Sequence, residues 1–203
     1  MPYLQGEVEL SQYKRPDKYT KKAKSDGFEA RSVYKLQEIN KRVRVFRRGQ
    51  RVVDLGCFPG SWTRYAVTQV GKNGRVVGVD LNESTVPNAK FVVRSVYEVE
   101  PDEVLEMLGS PADVVLSDMA QKTSGNRDSD HSLQIDLARR ALFLAVHLLK
   151  PGGAFICKVF EGGEAADFVN EARVHFGKVK RMRPDAVRKV SREWFLVATN
   201  FKG

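Results

Sequence analysis

Apolar positions recur along this chain with two periods that alternate. Residues 32–43 carry Tyr34, Leu36, Ile39 and Val43 on one side of a helical repeat, and a short apolar run at 51–55 follows as a strand. The same reading predicts a helix at 62–70, strands at 75–80 and 90–94, a helix at 101–108 and a strand at 113–117. A long helix at 132–149, a strand at 154–160, a helix at 164–176 and strands at 178–183 and 193–199 complete the chain. The segments DVVLSD and GAFICKVF are apolar nearly throughout instead of alternating with polar residues, as strands buried on both faces are. The predicted fold is therefore α/β, with a mainly parallel, doubly wound sheet and helices on both faces. No repeat or linker divides it, so residues 30–203 are expected to form one domain behind a basic arm at 1–29. The long connections, 120–131 and 184–192, are polar, and loops of that length often carry function.

Composition narrows the class. In 203 residues, 42% are hydrophobic, enough for a core, yet no run approaches the roughly 18 apolar residues of a membrane helix. The opening MPYLQGEVEL has acids where a secretory signal has bases, so a cytoplasmic protein is expected, without a membrane partner. Cys57, Cys157 and the histidines at 131, 147 and 175 make no metal-ligand spacing, and no metal is expected. The formal net charge is +9, and it is uneven. Residues 1–51 hold 14 Lys and Arg against 6 Asp and Glu, whereas 52–203 hold 20 against 19. A solvated arm (Lys14, Arg15, Lys18, Lys21, Lys22, Lys24) and a helix face with its exit (Arg42, Arg44, Arg47, Arg48) account for the front excess in the plainest way. A second basic group recurs at 178–192, and a polyanion satisfies both, which makes nucleic acid the first partner to consider. Tyr13, Tyr19 and Phe28 interleave with the arm's bases, placed either to stack on an unpaired nucleotide or to pack the arm down.

The first strand runs into VVDLGCFPGSW, with Asp54, Gly56, Pro59, Gly60 and Trp62 ahead of a helix. A glycine turn at the carboxyl end of the first strand of a doubly wound sheet lets backbone approach a small ligand. It departs from G-x-G-x-x-G, and Asp54 ahead of the first glycine suits an amine-bearing ligand better than a pyrophosphate. The second strand ends at Asp80, where an acid accepts hydrogen bonds from a ribose diol. Asp118 and Lys158 fall at or near the carboxyl ends of two later strands, where such folds keep their chemistry. Lys35 or Glu193 taken singly reads as half of a surface ion pair, but a lysine inside ICKVF seldom lacks a role.

D-L-G-x-x-P-G-x-W from Asp54, V-D at Asp80, S-D-M-A at 117–120, K-V-F at 158–160, S-R-E at 191–193 and the upstream ARSVYKLQEI at 30–39 occur in the order that resembles the FtsJ/RrmJ family of S-adenosylmethionine-dependent RNA 2′-O-methyltransferases. The resemblance runs from about Tyr13 to the end and implies a single-domain Rossmann-like methyltransferase fold. It implies Lys35, Asp118, Lys158 and Glu193 as a catalytic tetrad, with S-adenosylmethionine held near Asp54, Gly56, Pro59, Gly60, Trp62, Asp80, Val96 and Asp118. Lys158 would be the general base toward a ribose 2′-hydroxyl, a poor nucleophile until its proton is removed or polarised. The length is similar to members that methylate a uridine of large-subunit ribosomal RNA, so that RNA is the expected partner of a monomeric enzyme. Transfer RNA is the alternative acceptor, and a non-catalytic RNA-binding protein the alternative class. Where many members carry an Asp after the third strand, this chain has Ser95 and Val96, and adenine recognition is expected to fall to backbone groups. The usual Pro after the Ala of S-D-M-A is Gln121 here.

A nicotinamide oxidoreductase would share the sheet and Asp80, but not Pro59 in the turn or the tetrad. A small-molecule methyltransferase would have no use for the basic front.

Overall fold

The computed structural model describes residues 18–121 and 127–203. Lys14, Arg15 and Tyr13 of the expected arm, and residues 122–125 after Gln121, lie outside the described residues. The elements are α1 (Lys18–Ser25), α2 (Val33–Val43), β1 (Arg51–Leu55), α3 (Ser61–Val70), β2 (Arg75–Asp80), β3 (Lys90–Val93) and α4 (Pro101–Leu108). There follow β4 (Ala112–Ser117), α5 (Arg127–Leu148), β5 (Leu149–Phe160), α6 (Ala165–His175), β6 (Phe176–Met182) and β7 (Glu193–Phe201).

The strands form one sheet in the order β3-β2-β1-β4-β5-β7-β6. β1 to β5 pair in parallel, and β7 enters antiparallel between β5 and β6. Alternate residues of the central strands face opposite layers, as strand geometry requires. Val53, Leu55, Val115, Phe155 and Cys157 pack with Val104 and Leu108 of α4, Ala141 and Leu148 of α5 and Phe168 of α6. Val52, Val114, Leu116 and Ile156 pack with Leu36 and Ile39 of α2 and Trp62, Ala66 and Val70 of α3. The fully apolar strands are thus covered on both sides. Among the described residues no helix is long and apolar enough to cross a membrane.

Local chemistry sets several element ends. Pro101 opens α4 with Asp102 and Glu103 in its first turn, and Gly109 closes it at φ 78. Two boundaries differ from the sequence reading by five residues each, the others by two or fewer. α5 begins at Arg127 instead of 132, because its polar first turn precedes the apolar stripe that periodicity detects. β5 begins at Leu149 instead of 154; the KPGG segment interrupts the pattern, and the β4–β5 register shifts there between Ala112 and Val114. Residues 18–25, assigned to the arm by composition, form a helix whose Ala23 is buried with Val33, Tyr34 and Ala186, with Tyr19 and Phe28 packed against that cluster. Those two aromatics serve packing.

Candidate active site

β2 and β4 lie on opposite sides of β1, so the strand order reverses at β1, and the carboxyl edge at such a reversal is where doubly wound sheets take their ligands. The chain leaves β1 through Gly56 and Cys57, whose N–H groups both donate to the Val79 carbonyl at 2.8 and 3.3 Å. Gly56 sits at φ 75 and Gly60 at φ 114, a region that glycine enters without strain. Space demands the same residue. A Cβ on Gly56 would lie 2.4 Å from Met119 Cγ, and one on Gly60 2.5 Å from Val86 Cγ2. Between them Phe58–Pro59 is a cis peptide. The turn is held against the exit of β4 at Met119.

Asp54, on β1, is wholly buried. Its Oδ2 accepts the Thr63 hydroxyl at 2.7 Å, while its Oδ1 has no partner. Burial pushes this carboxyl up to about 7, the Asp118 and Asp80 charges adding to the rise and hydrogen bonds from Thr63 opposing it. Burial likewise raises the Cys57 thiol, and raises Cys157 to about 12, so neither sulfur is a thiolate nucleophile near neutral pH. Asp80 closes β2 and ties two loops together. Its Oδ2 accepts the Phe58 N–H at 3.0 Å, and its Oδ1 accepts the Asn82 N–H at 2.9 Å and the Asn82 amide at 3.2 Å. Beside it Phe58 on the turn, Leu81 after β2 and Val93 at the end of β3 are each more than half exposed and form an apolar rim.

The four charged residues expected to act together meet at the same edge as two ion pairs. Lys158 on β5 is only 6% exposed; its Nζ donates to the Asp118 carbonyl at 2.8 Å and lies 3.1 Å from Asp118 Oδ1. Lys35 Nζ on α2 lies 2.5 Å from Glu193 Oε1 at the start of β7. The antiparallel register places Phe195 beside Lys158 and Glu193 beside Phe160, which brings both pairs to one end of the sheet. Lys35 Nζ also stands 5.7 Å from the Phe195 ring centroid.

Trp62 packs beneath the Lys35 side of the site, against the register neighbour of Lys158. Its indole is buried, donates to the Ser32 carbonyl at 2.9 Å and packs 5.8 Å from Phe195, so it anchors the start of α2 and with it Lys35. Val96 is buried after β3, and its carbonyl accepts from Arg140 Nε at 2.6 Å. Two residues that sequence reasoning missed brace the site. Arg140 also holds the Val99 carbonyl at 3.0 Å. Buried Gln134 donates to the carbonyls of Met119 (3.2 Å) and Lys158 (3.3 Å), joining the ends of β4 and β5. Its signal was present: Gln134 shares the helical stripe of Ala138, Ala141, Ala145 and Leu148, and a polar residue there needs partners. Among the described residues no His, Cys, Asp and Glu cluster is arranged to hold a metal ion.

The FtsJ-like methyltransferase family matches residues 28–201. The chain belongs to that family. The ribosomal RNA large subunit methyltransferase E of Desulfosudis oleivorans is 44% identical over 192 residues, covering 93% of this chain and 92% of its own. The protein of that name from Bdellovibrio bacteriovorus is 41% identical over 194 residues, covering 94% and 99%. A ribosomal RNA methyltransferase structure from Plasmodium falciparum superposes with a TM-score of 0.78 over 87% of this chain and all of the other, at 24% identity, a likeness of fold. As an FtsJ-like methyltransferase the protein is an enzyme that takes a methyl group from a donor. At the carboxyl edge the fold brings together Asp54, Gly56, Gly60, Asp80, Asp118 and Lys158, with the Lys35–Glu193 pair alongside.

Proposed function

We propose that this protein transfers the methyl group of S-adenosylmethionine to a ribose 2′-hydroxyl of RNA, a uridine of large-subunit ribosomal RNA, acting as a cytoplasmic monomer with residues 30–203 as its catalytic domain. The observation that carries the reading is the nearly buried Lys158 Nζ held by Asp118 beside a glycine turn and two further carboxylates. The relatives named for large-subunit ribosomal RNA match over more than nine-tenths of both chains, which favours that acceptor over transfer RNA.

The residues fit the donor. The partnerless Asp54 Oδ1 is an acceptor for an amino group, and Asp80 Oδ2, which accepts one bond, keeps a lone pair for a ribose hydroxyl. Gly56 and Gly60 let the turn close tightly on Met119 and Val86 beside those carboxylates, and Val96 with the apolar rim around Asp80 suits a planar base. When bound, S-adenosylmethionine supplies a methyl group on a sulfonium, an electrophile that needs an aligned oxygen nucleophile.

Lys158 Nζ takes the 2′-hydroxyl proton. The ammonium so formed donates to the Asp118 carbonyl and faces the Asp118 carboxylate charge at 3.1 Å, so the proton's arrival is stabilised where it lands. Gln134 holds the Lys158 and Met119 carbonyls, and so fixes Nζ relative to the turn. Lys35, neutralised by Glu193, orients the ribose-phosphate, and much of the acceleration comes from alignment. The test is single-turnover methyl transfer by Lys158→Ala, with tritiated donor and separate large-subunit and transfer RNA fractions. The rate is expected to fall about 10² to 10⁴-fold while donor affinity stays close to wild type. A near-normal rate overturns Lys158 as base, and label entering only transfer RNA overturns the acceptor.

A further inference from the structure

The sheet's other edge carries a second basic feature. A cleft of about 370 Å³ opens between the carboxyl end of α2 with its exit and the β6–β7 pair, where β1, β4 and β5 begin. Arg42, Arg44, Arg47, Lys178 and Lys180 line it, and its one acidic lining residue is Asp113. That carboxylate is already engaged: Oδ2 accepts the Arg51 N–H at 2.7 Å and Oδ1 pairs with Lys150 at 2.5 Å. Arg42 pairs with Glu38, whereas among the described residues no carboxylate pairs with Arg44, Arg47, Lys178 or Lys180, all of them exposed.

Backbone strain gathers at the same place. Among the described residues three that are not glycine have positive φ, and two of them, Arg44 (φ 55) and Asn200 (φ 60), line this cleft. A helix often ends in a left-handed residue, but that residue is ordinarily glycine, and asparagine tolerates the conformation better than arginine does. An arginine kept there implies a use for its side chain. Two plainer accounts fall short. The negative end of the α2 dipole attracts cations, and lysines on the edge strand β6 discourage strand pairing. Neither explains why bases from two separate elements converge on one concavity. Lys178, Lys180 and Met182 alternate along one face of β6, and Met182 packs into the core layer that contains α2, while Val179 packs into the other.

We propose that this cleft is a second RNA-docking site, which holds backbone phosphates of the acceptor remote from the methylated nucleotide. This rests on RNA being the acceptor. Five residues of β1, about 17 Å of strand, separate the two edges, so an RNA engaging both must be extended or folded well beyond one nucleotide. Unpaired cations in a concavity raise the local potential, and phosphates discharge it with release of counterions.

The experiment measures binding of full-length protein to large-subunit ribosomal RNA across a salt series, with kinetics alongside. In Lys178→Ala/Lys180→Ala the slope of log affinity against log salt should shrink by about 1.4, which is about 25-fold weaker binding at 0.1 M salt. KM for RNA should rise with kcat unchanged, and calorimetric affinity for S-adenosylmethionine should match wild type. Arg44→Gly supplies the control for folding. It removes strain, so the melting temperature should hold or rise, while the slope still shrinks by about 0.7. Wild-type slope and affinity in both variants, beside a wild type that binds and methylates RNA, overturn the cleft and leave the acceptor reading standing. A fall in kcat without a change in KM also overturns docking. A wild type that binds no RNA overturns the acceptor reading, and the cleft assignment with it.

Discussion

Asp54→Asn is expected to stabilise the protein above neutral pH and to weaken its hold on the methyl donor. The wild-type carboxyl stands at about 7 against an ordinary 3.8, chiefly because it is buried. At about 1.4 kcal/mol per pH unit, that rise is a penalty of about 4 kcal/mol for carrying the charge in the folded state. Between pH 4 and 7 the folded protein binds more protons than the unfolded chain, so stability falls as pH rises through that window and levels off above it. Asparagine carries no charge to penalise, and its carbonyl still accepts the Thr63 hydroxyl. Its amide replaces an oxygen that has no partner, and a buried donor left unpaired costs about 1 to 3 kcal/mol. The net gain is then about 1 to 3 kcal/mol at pH 8, and at pH 4, where the wild-type penalty is absent, the amide cost leaves a net loss of about 1 to 3 kcal/mol. Urea unfolding of both proteins from pH 4 to 8.5 measures it. Calorimetry of S-adenosylmethionine at pH 6 in two buffers of different ionisation heat measures the linked event. An amine settling on Asp54 favours the carboxylate, so wild type should release a proton at pH 6 and none at 8.5, and the variant none at either. A stability difference that does not change with pH, or equal donor affinity and proton release in both proteins, refutes the reasoning.

Asp80→Ala should weaken S-adenosylmethionine by about 1 to 3 kcal/mol in calorimetry through loss of charge-assisted bonds to the ribose, and unchanged affinity would remove Asp80 from the site. The arm is tested by removing residues 1–17, a cut that spares α1 and its buried Ala23. If Lys14 and Arg15 touch phosphates, the salt slope of RNA binding should shrink by about 1.4 with donor affinity unchanged, and the full slope in the truncated protein would assign the arm to solvated surface.

The sequence alone determined what depends on near neighbours. Uninterrupted apolar strands required a sheet covered on both faces, and the turn from Asp54 to Trp62 reads as a ligand turn because glycines before a helix admit backbone conformations that other residues resist. Proline, acids and glycine likewise mark the ends of α4. Element ends blurred where local pattern and tertiary pairing diverge, as at the KPGG segment, whose pairing to β4 no periodicity encodes. What only the tertiary structure decided is contact between distant segments. Lys35 and Glu193 look like separate surface charges until β7 inserts beside β5 and α2 packs across it. The buried Trp62 indole serves α2, Gln134 joins two strand ends, and Asp54 is left with a bare oxygen, none of which follows from spacing. Charge shows the same division. The total is legible in the sequence, but bases far apart in the chain share one cleft at the amino edge, because sheet order and helix packing, both set by long-range pairing, decide which side chains meet.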